Sequence, residues 1–137
     1  GLSIREVVIL ASLVEKETSR ADERGLVSAV FHNRLRIGMK LDCDPTIVYA
    51  LKATGSYTGR LRYQDLKLDS PYNTYLYSGL PPGPIANPGR VSLEAALYPD
   101  DADYLYFVSR NDGSHQFSRT YREHVNAVNK YQRRRRP

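Results

Sequence analysis

A glutamate can act as a general acid near neutral pH where burial or its neighbours raise its pKa. One glutamate of this chain stands out for that chemistry. On a helical wheel of ~100° per residue started at Ile4, Val8 falls near ~40°, Ala11 near ~340°, Val7 near ~300° and Val14 near ~280°. Glu15 falls near ~20°, inside this apolar stripe, whereas Glu6 and Glu17 fall near ~200° and ~220° on the far side. An unpartnered carboxylate on a core-facing stripe must either find a cation or raise its pKa and stay protonated. The wheel therefore predicts an elevated pKa for Glu15, against a competing buried ion pair with Arg34 on the next helix.

Standard glycoside hydrolysis requires two carboxylates flanking the scissile bond. On the wheel Glu17 lies ~200° from Glu15 and does not supply the second. Asp42 and Asp44 are the remaining candidates, and Asp44 followed by Pro45 is better explained as a helix cap. One acid without an evident nucleophile points away from ordinary hydrolysis.

The second candidate feature is the segment from Ser70 to Gly89, which carries Pro71, Pro81, Pro82, Pro84 and Pro88 together with Tyr72, Asn73, Thr74, Tyr75, Tyr77 and Asn87. An irregular run of this length inside a compact domain is usually functional. Flat tyrosine rings and amide edges suit sugars, and prolines lower the entropy lost on binding. The competing reading is a proline-stiffened loop whose tyrosines pack on the core. Asn33 and Arg34 could orient a ligand or tie neighbouring loops. His32, His115 and His124 show no metal-ligand spacing with Cys43, and each reads as a surface or helix-face histidine. No phosphate-binding glycine loop or nucleophile elbow occurs, and no metal or cofactor is expected.

The elements that must hold these residues follow from caps and breakers. Ser3 and Glu6 form a capping box for a helix to about Thr18. A second helix runs from about Ala21 to Arg36 and stops at Gly38. Asp44 opens a third, through Leu51, that ends before Gly55. Tyr63 to Leu66 form one turn. Ser92 caps a short helix through Tyr98, ended by Pro99. Tyr104–Ser109 and His115–Ser118 flank Asn111-Asp112-Gly113, a hairpin signal. Thr120 and Glu123 open a last helix. The predicted class is α+β, mainly α, with one small hairpin.

The chain has 137 residues, is 41% hydrophobic, and has one cysteine and a formal charge of +5. That size suits a single domain with a proper core. Arg133 to Arg136 supply four of the positive charges, leaving 16 Lys and Arg against 15 Asp and Glu in residues 1–132. A domain so close to neutral gives no ground for a nucleic-acid partner. The apolar run Val7–Val14 is far shorter than the ~18–20 residues of a membrane span. The abrupt start at a helix suggests a domain cut from a longer protein, residues 1–132 forming the domain and 133–137 a basic tail.

Several blocks, in order, resemble the endolytic murein transglycosylases of the YceG-like family. They are Ala11-Ser12-Leu13-Val14-Glu15-Lys16-Glu17-Thr18, Phe31-His32-Asn33-Arg34-Leu35-Arg36-Ile37-Gly38-Met39, Asp44-Pro45-Thr46, Tyr72-Asn73-Thr74-Tyr75, Gly79 through Gly89, and Tyr104-Leu105-Tyr106-Phe107-Val108. Only Lys52–Asp69 and the arginine tail lie outside the likeness. The resemblance implies a bacterial lysozyme-like catalytic domain, a lyase that cleaves peptidoglycan glycan strands internally. It implies action outside the cytoplasm, an N-terminal membrane anchor in the full-length protein, cell-wall synthases as partners, and a role in ending nascent strands.

The resemblance also implies that Glu15, the first of the Glu-Lys-Glu pair, is the single acid and base. It would protonate the oxygen between MurNAc and GlcNAc, then help deprotonate the MurNAc C6 hydroxyl, leaving a 1,6-anhydro-MurNAc end. Tyr72, Asn73, Thr74 and Asn87 are expected to hold the sugars, joined by Asn33, Asp44 and Thr46. The alternatives are a hydrolytic muramidase using Asp42 or Asp44, and a catalytically silent peptidoglycan-binding module.

Overall fold

The computed structural model describes residues 1–133, so the expected basic tail lies, apart from the backbone of Arg133, outside the described residues. Helix α1 spans Ile4–Glu17 and opens on the capping box expected of Ser3 and Glu6. A 3-10 turn, Ala21–Glu23, leads into α2, Arg24–Ile37. Gly38 ends α2 at φ 73, a left-handed conformation that glycine adopts without a Cβ penalty. Helix α3 covers Asp44–Ala53, a 3-10 turn covers Tyr63–Lys67, and α4 covers Arg90–Leu97. Strands β1, Tyr106–Ser109, and β2, His115–Ser118, pair antiparallel with Tyr106 opposite Ser118. The closing helix α5, Tyr121–Val128, has the capping box of Thr120 and Glu123 and continues as one π turn, Asn129–Arg133. The α+β, mainly α class holds.

Helix α1 is the hub. Its residues Ile9 to Val14 are all buried in sequence, so its middle is enclosed on every side. Val27 and Phe31 of α2, Leu41, Cys43, Ile85, and Ala95 and Ala96 of α4 complete the core around it. Ile4, the origin of the wheel, is 86% exposed. The first turn lies at the surface, while Val7 packs on the core and Ala11 and Val14 are fully buried, so that stripe is only one of several faces that the helix buries. A single-stripe wheel describes a helix lying on a core; α1 runs through one.

Two expected caps also fall elsewhere. Cys43, not Asp44, is the residue before α3, and Asp44 is its first residue. Gly89, not Ser92, precedes α4. Both displaced side chains are thereby free for tertiary contacts.

The irregular segment 70–89 is held by specific bonds. The Ser12 hydroxyl accepts from the Ile85 amide at 3.0 Å and donates to the Ile9 carbonyl at 2.6 Å. Arg5 donates to the Pro82 carbonyl at 2.6 Å. At the α3 entrance, the Thr74 hydroxyl accepts from the Cys43 amide at 2.8 Å and meets the Thr46 hydroxyl at 3.0 Å. The loop is thus docked against α1 and the start of α3, the two elements that carry the acidic residues.

Candidate active site

Glu15 joins α1 to the start of α4. Its Oε1 accepts from the Gly89 amide at 2.9 Å and from the Ser92 hydroxyl at 2.8 Å, at the N-terminus of α4. Arg24, and not Arg34, is its cation, with a guanidinium nitrogen 3.7 Å from Oε2. These donors, the Gly89 amide first, hold its carboxyl below the usual range, so the elevated pKa expected of it is not found. Backbone amides at a helix start favour the charged form. Arg34 instead donates to the carbonyls of Leu105, Lys40 and Leu41 and lies 3.6 Å from Asp42, locking α2 to the strand approach and to the turn before α3.

Glu15→Gln should therefore cost about 1–2 kcal/mol of stability at neutral pH, since the amide keeps an acceptor for α4 but loses the charge. A carboxyl with a depressed folded pKa contributes stability above its unfolded value and loses it as pH falls through the folded one. The gap between parent and variant should accordingly close on acidification, as read by urea unfolding at neutral and acid pH.

Glu17 has the property expected of Glu15. The residue keeps some exposure, but its carboxyl end is surrounded by protein. Burial first, then the neighbouring Asp44 carboxylate, push it up to about 7, against the pull of the Cys43 thiol and Arg34. The Cys43 thiol, itself buried and held protonated by that burial and by Glu17, donates to Glu17 Oε2 at 3.1 Å. Leu10 and Leu13, fully buried, precede Glu17 by seven and four residues, so Glu17 continues a core-facing row. That spacing was the available signal: at ~100° per residue Glu17 falls between Leu13 and Leu10.

Glu17 opens into a cavity of about 340 Å³ lined also by Asp42, Asp44, Tyr75, Phe107, His115 and Gln132. The Tyr75 hydroxyl donates to Asp44 Oδ1 at 2.5 Å. Burial and the Asp44 carboxylate hold that phenol protonated, well above its usual range. Asp42 sits in the left-handed region at φ 48, and burial raises its carboxyl despite Arg34. Asp44 also borders a second cavity of about 350 Å³, formed with Lys16, Val48, Tyr49, Lys52 and Ile85. Two hollows therefore meet at one carboxylate next to a second, protonatable one.

Of the residues expected to bind sugars, Asp44 alone lines these hollows directly. Tyr72 packs its ring at 4.9 Å on Tyr49, which lines the second hollow. Asn87 is exposed on the loop. Asn73 is fully buried; its amide nitrogen donates to the Leu66 and Leu68 carbonyls, and its oxygen accepts from the Tyr75 amide. Thr74 and Thr46 are buried in the hydroxyl pair at the α3 entrance. Asn33 lies in a different cavity and donates to the carbonyls of Ala102 and Tyr104. These four hold backbone in place. Tyr49 and Gln132 were not singled out from sequence, because fold contacts alone bring them to the hollows. Tyr75 was read only as part of the tyrosine-rich loop, and His115, expected at the surface or on a helix face, instead begins β2 with its side chain 12% exposed, because Glu23 and Phe107 pack against it.

A sequence profile of the YceG-like family matches residues 1–130. The chain belongs to the YceG-like family. A relative in the family, the endolytic murein transglycosylase of Bacillus subtilis, is 46% identical over 95% of this chain and 35% of its own length. The endolytic murein transglycosylase of Streptococcus pneumoniae is 35% identical over 93% of this chain and 25% of its own. The crystal structure of a YceG-like protein from Listeria monocytogenes superposes with a TM-score of 0.81 at 45% identity, covering 91% of this chain and 39% of that one. This chain thus spans about a third or less of the curated relatives it matches. No helix among the described residues is long and apolar enough to cross a membrane.

Proposed function

We infer that this domain is a lytic transglycosylase of peptidoglycan and that Glu17, rather than Glu15, is its general acid. The observation that carries this reading is the Glu17 carboxyl, pushed up to about 7 in a cavity next to Asp44 and Tyr75. An acid with a pKa near the working pH is both protonated often enough and strong enough to donate. The names of the relatives supply the substrate class, the glycan strands of murein.

The meeting of two hollows at Asp44 suits an extended strand with sugar rings on either side of the scissile bond. Glu17 donates its proton to the oxygen between MurNAc and GlcNAc as the bond to the MurNAc C1 breaks. The MurNAc C6 hydroxyl closes on C1 and loses its proton to a base in the cavity, leaving a 1,6-anhydro end. Burial sets most of the acid's strength, and Asp44, fixed by Tyr75, adds to the rise and faces the sugars. Residues 1–132 are the catalytic unit, acting outside the cytoplasm on strands being made or remodelled, alongside cell-wall synthases in a membrane-anchored parent protein.

The test is the chemistry of the new ends. Purified glycan strands digested by this domain should yield, by mass spectrometry, muramic ends lighter by one water than hydrolysed ends. Reducing ends of full mass would instead make the enzyme a muramidase, with Asp42 or Asp44 activating water. Intact strands would leave a binding module.

A further inference from the structure

His115 begins β2 and lines the same cavity as Glu17. Its backbone amide donates to Glu23 Oε2 at 3.0 Å, and its ring Nδ1 meets Glu23 Oε1 at 2.8 Å. Both side chains are only 12% exposed, so the pair is well shielded from water. Glu23 comes from the 3-10 turn ahead of α2, 92 residues away in sequence, so the fold alone makes this contact. Phe107 stands edge-on to the imidazole at 5.4 Å and limits its rotation.

Carboxylate oxygens accept, so the hydrogen of the neutral ring sits on Nδ1 and the lone pair on Nε2. Nε2 has no protein partner among the described residues. A carboxylate that fixes a histidine's tautomer and steadies its protonated form is the arrangement that makes imidazole an effective base in serine hydrolases. We propose that His115, positioned by Glu23, is the base that accepts the proton of the sugar hydroxyl closing on C1. This rests on the transglycosylase reading above, and it divides between two residues the two proton transfers that the family resemblance implies for one carboxylate.

The step balances. The C1–O bond to GlcNAc breaks and its oxygen takes the Glu17 proton. The O6–H bond breaks, O6 bonds to C1, and the proton passes to Nε2. The imidazolium is then paired with Glu23, in the cavity that the Glu17 carboxylate also lines. Return of that proton to Glu17 through cavity water restores both groups, and no other reactant is consumed. The remaining charged or titratable groups around the ring are Asp42, Asp44 and Tyr75 in the cavity, Arg34 at Asp42, Asp112 behind Ser114, and Arg20 near Glu23 and Asp112.

The experiment compares the parent domain with His115→Gln, His115→Ala and Glu17→Gln on purified glycan strands across pH. His115→Gln should lower kcat by about 10²–10⁴-fold. It should also remove the acid-side fall of the pH–rate profile, while Glu17→Gln removes cleavage. Added imidazole should restore part of the activity of His115→Ala. A variant that keeps the parent profile and rate overturns the proposal, as does lost activity with the acid-side fall intact and no rescue by imidazole. If the substitutions unfold the domain, nitrogen NMR of the parent decides: the Nδ1–H tautomer supports the assignment and the Nε2–H tautomer sinks it. Should Glu17→Gln stay active, the transglycosylase reading of Glu17 fails first, whatever His115 does.

Discussion

Glu17→Gln is expected to lower cleavage of glycan strands by about 10³-fold or more while making the domain more stable at neutral pH. The loss follows from chemistry, since an amide cannot donate the proton that the leaving sugar oxygen needs. The gain follows from linkage. Burial raises the folded pKa of Glu17 from the ordinary 4.5 to about 7. A group shifted upward contributes stability that is complete below its unfolded pKa and is lost as pH rises through the folded one. Above pH 7 the parent therefore carries a buried charge that glutamine lacks, a difference of up to about 3 kcal/mol. Denaturant unfolding should show the variant ahead at pH 8 and level with the parent at pH 5. The activity of the parent should decline on the alkaline side as Glu17 ionises. An inactive variant that is less stable at pH 8 would contradict the burial argument, and an active one the assignment of the acid.

Asn73→Ala should cost about 3–4 kcal/mol, among the largest losses available to a single substitution outside the hydrophobic core. Removing the fully buried amide takes a donor from the Leu66 and Leu68 carbonyls, the latter keeping only the Ser70 amide, and leaves the Tyr75 amide without its acceptor. Water cannot enter to replace them without opening the loop. Because Tyr75 is held through Asn73 and in turn holds Asp44, the remaining folded enzyme should show a lower kcat. A direct sugar ligand would behave differently, with KM raised and thermal stability unchanged. Calorimetry beside steady-state kinetics on the same samples separates the two roles.

That contrast marks how far the residues alone could be read. Asn73 in a tyrosine- and proline-rich loop has the side chain of a sugar ligand, and the same polarity serves equally well to hold a turn of backbone. Which use applies depends on whether its neighbours leave it facing water, and Leu66, Leu68 and Tyr75 do not. Glu15 and Glu17 pose the same difficulty on one helix. The wheel separates their faces by ~200° but cannot say which face meets a cavity and which meets another helix.

The capping boxes at Ser3 and Thr120, the stop at Gly38, the hairpin and the mainly α class were legible because they depend on contacts within a few residues, where side-chain type and backbone geometry suffice. The family blocks were legible for a related reason, since their order and spacing are properties of the chain. What only the tertiary structure decided is the charge state of each carboxyl. Glu15 meets the amide end of α4, and Glu17 meets a buried thiol and the Asp44 carboxylate, so their pKa values move in opposite directions. Desolvation and Coulomb interactions act through space over a few ångströms, between residues up to 77 positions apart in the chain. The sequence thus determined which groups were available for proton transfer, and packing determined which of them would be protonated.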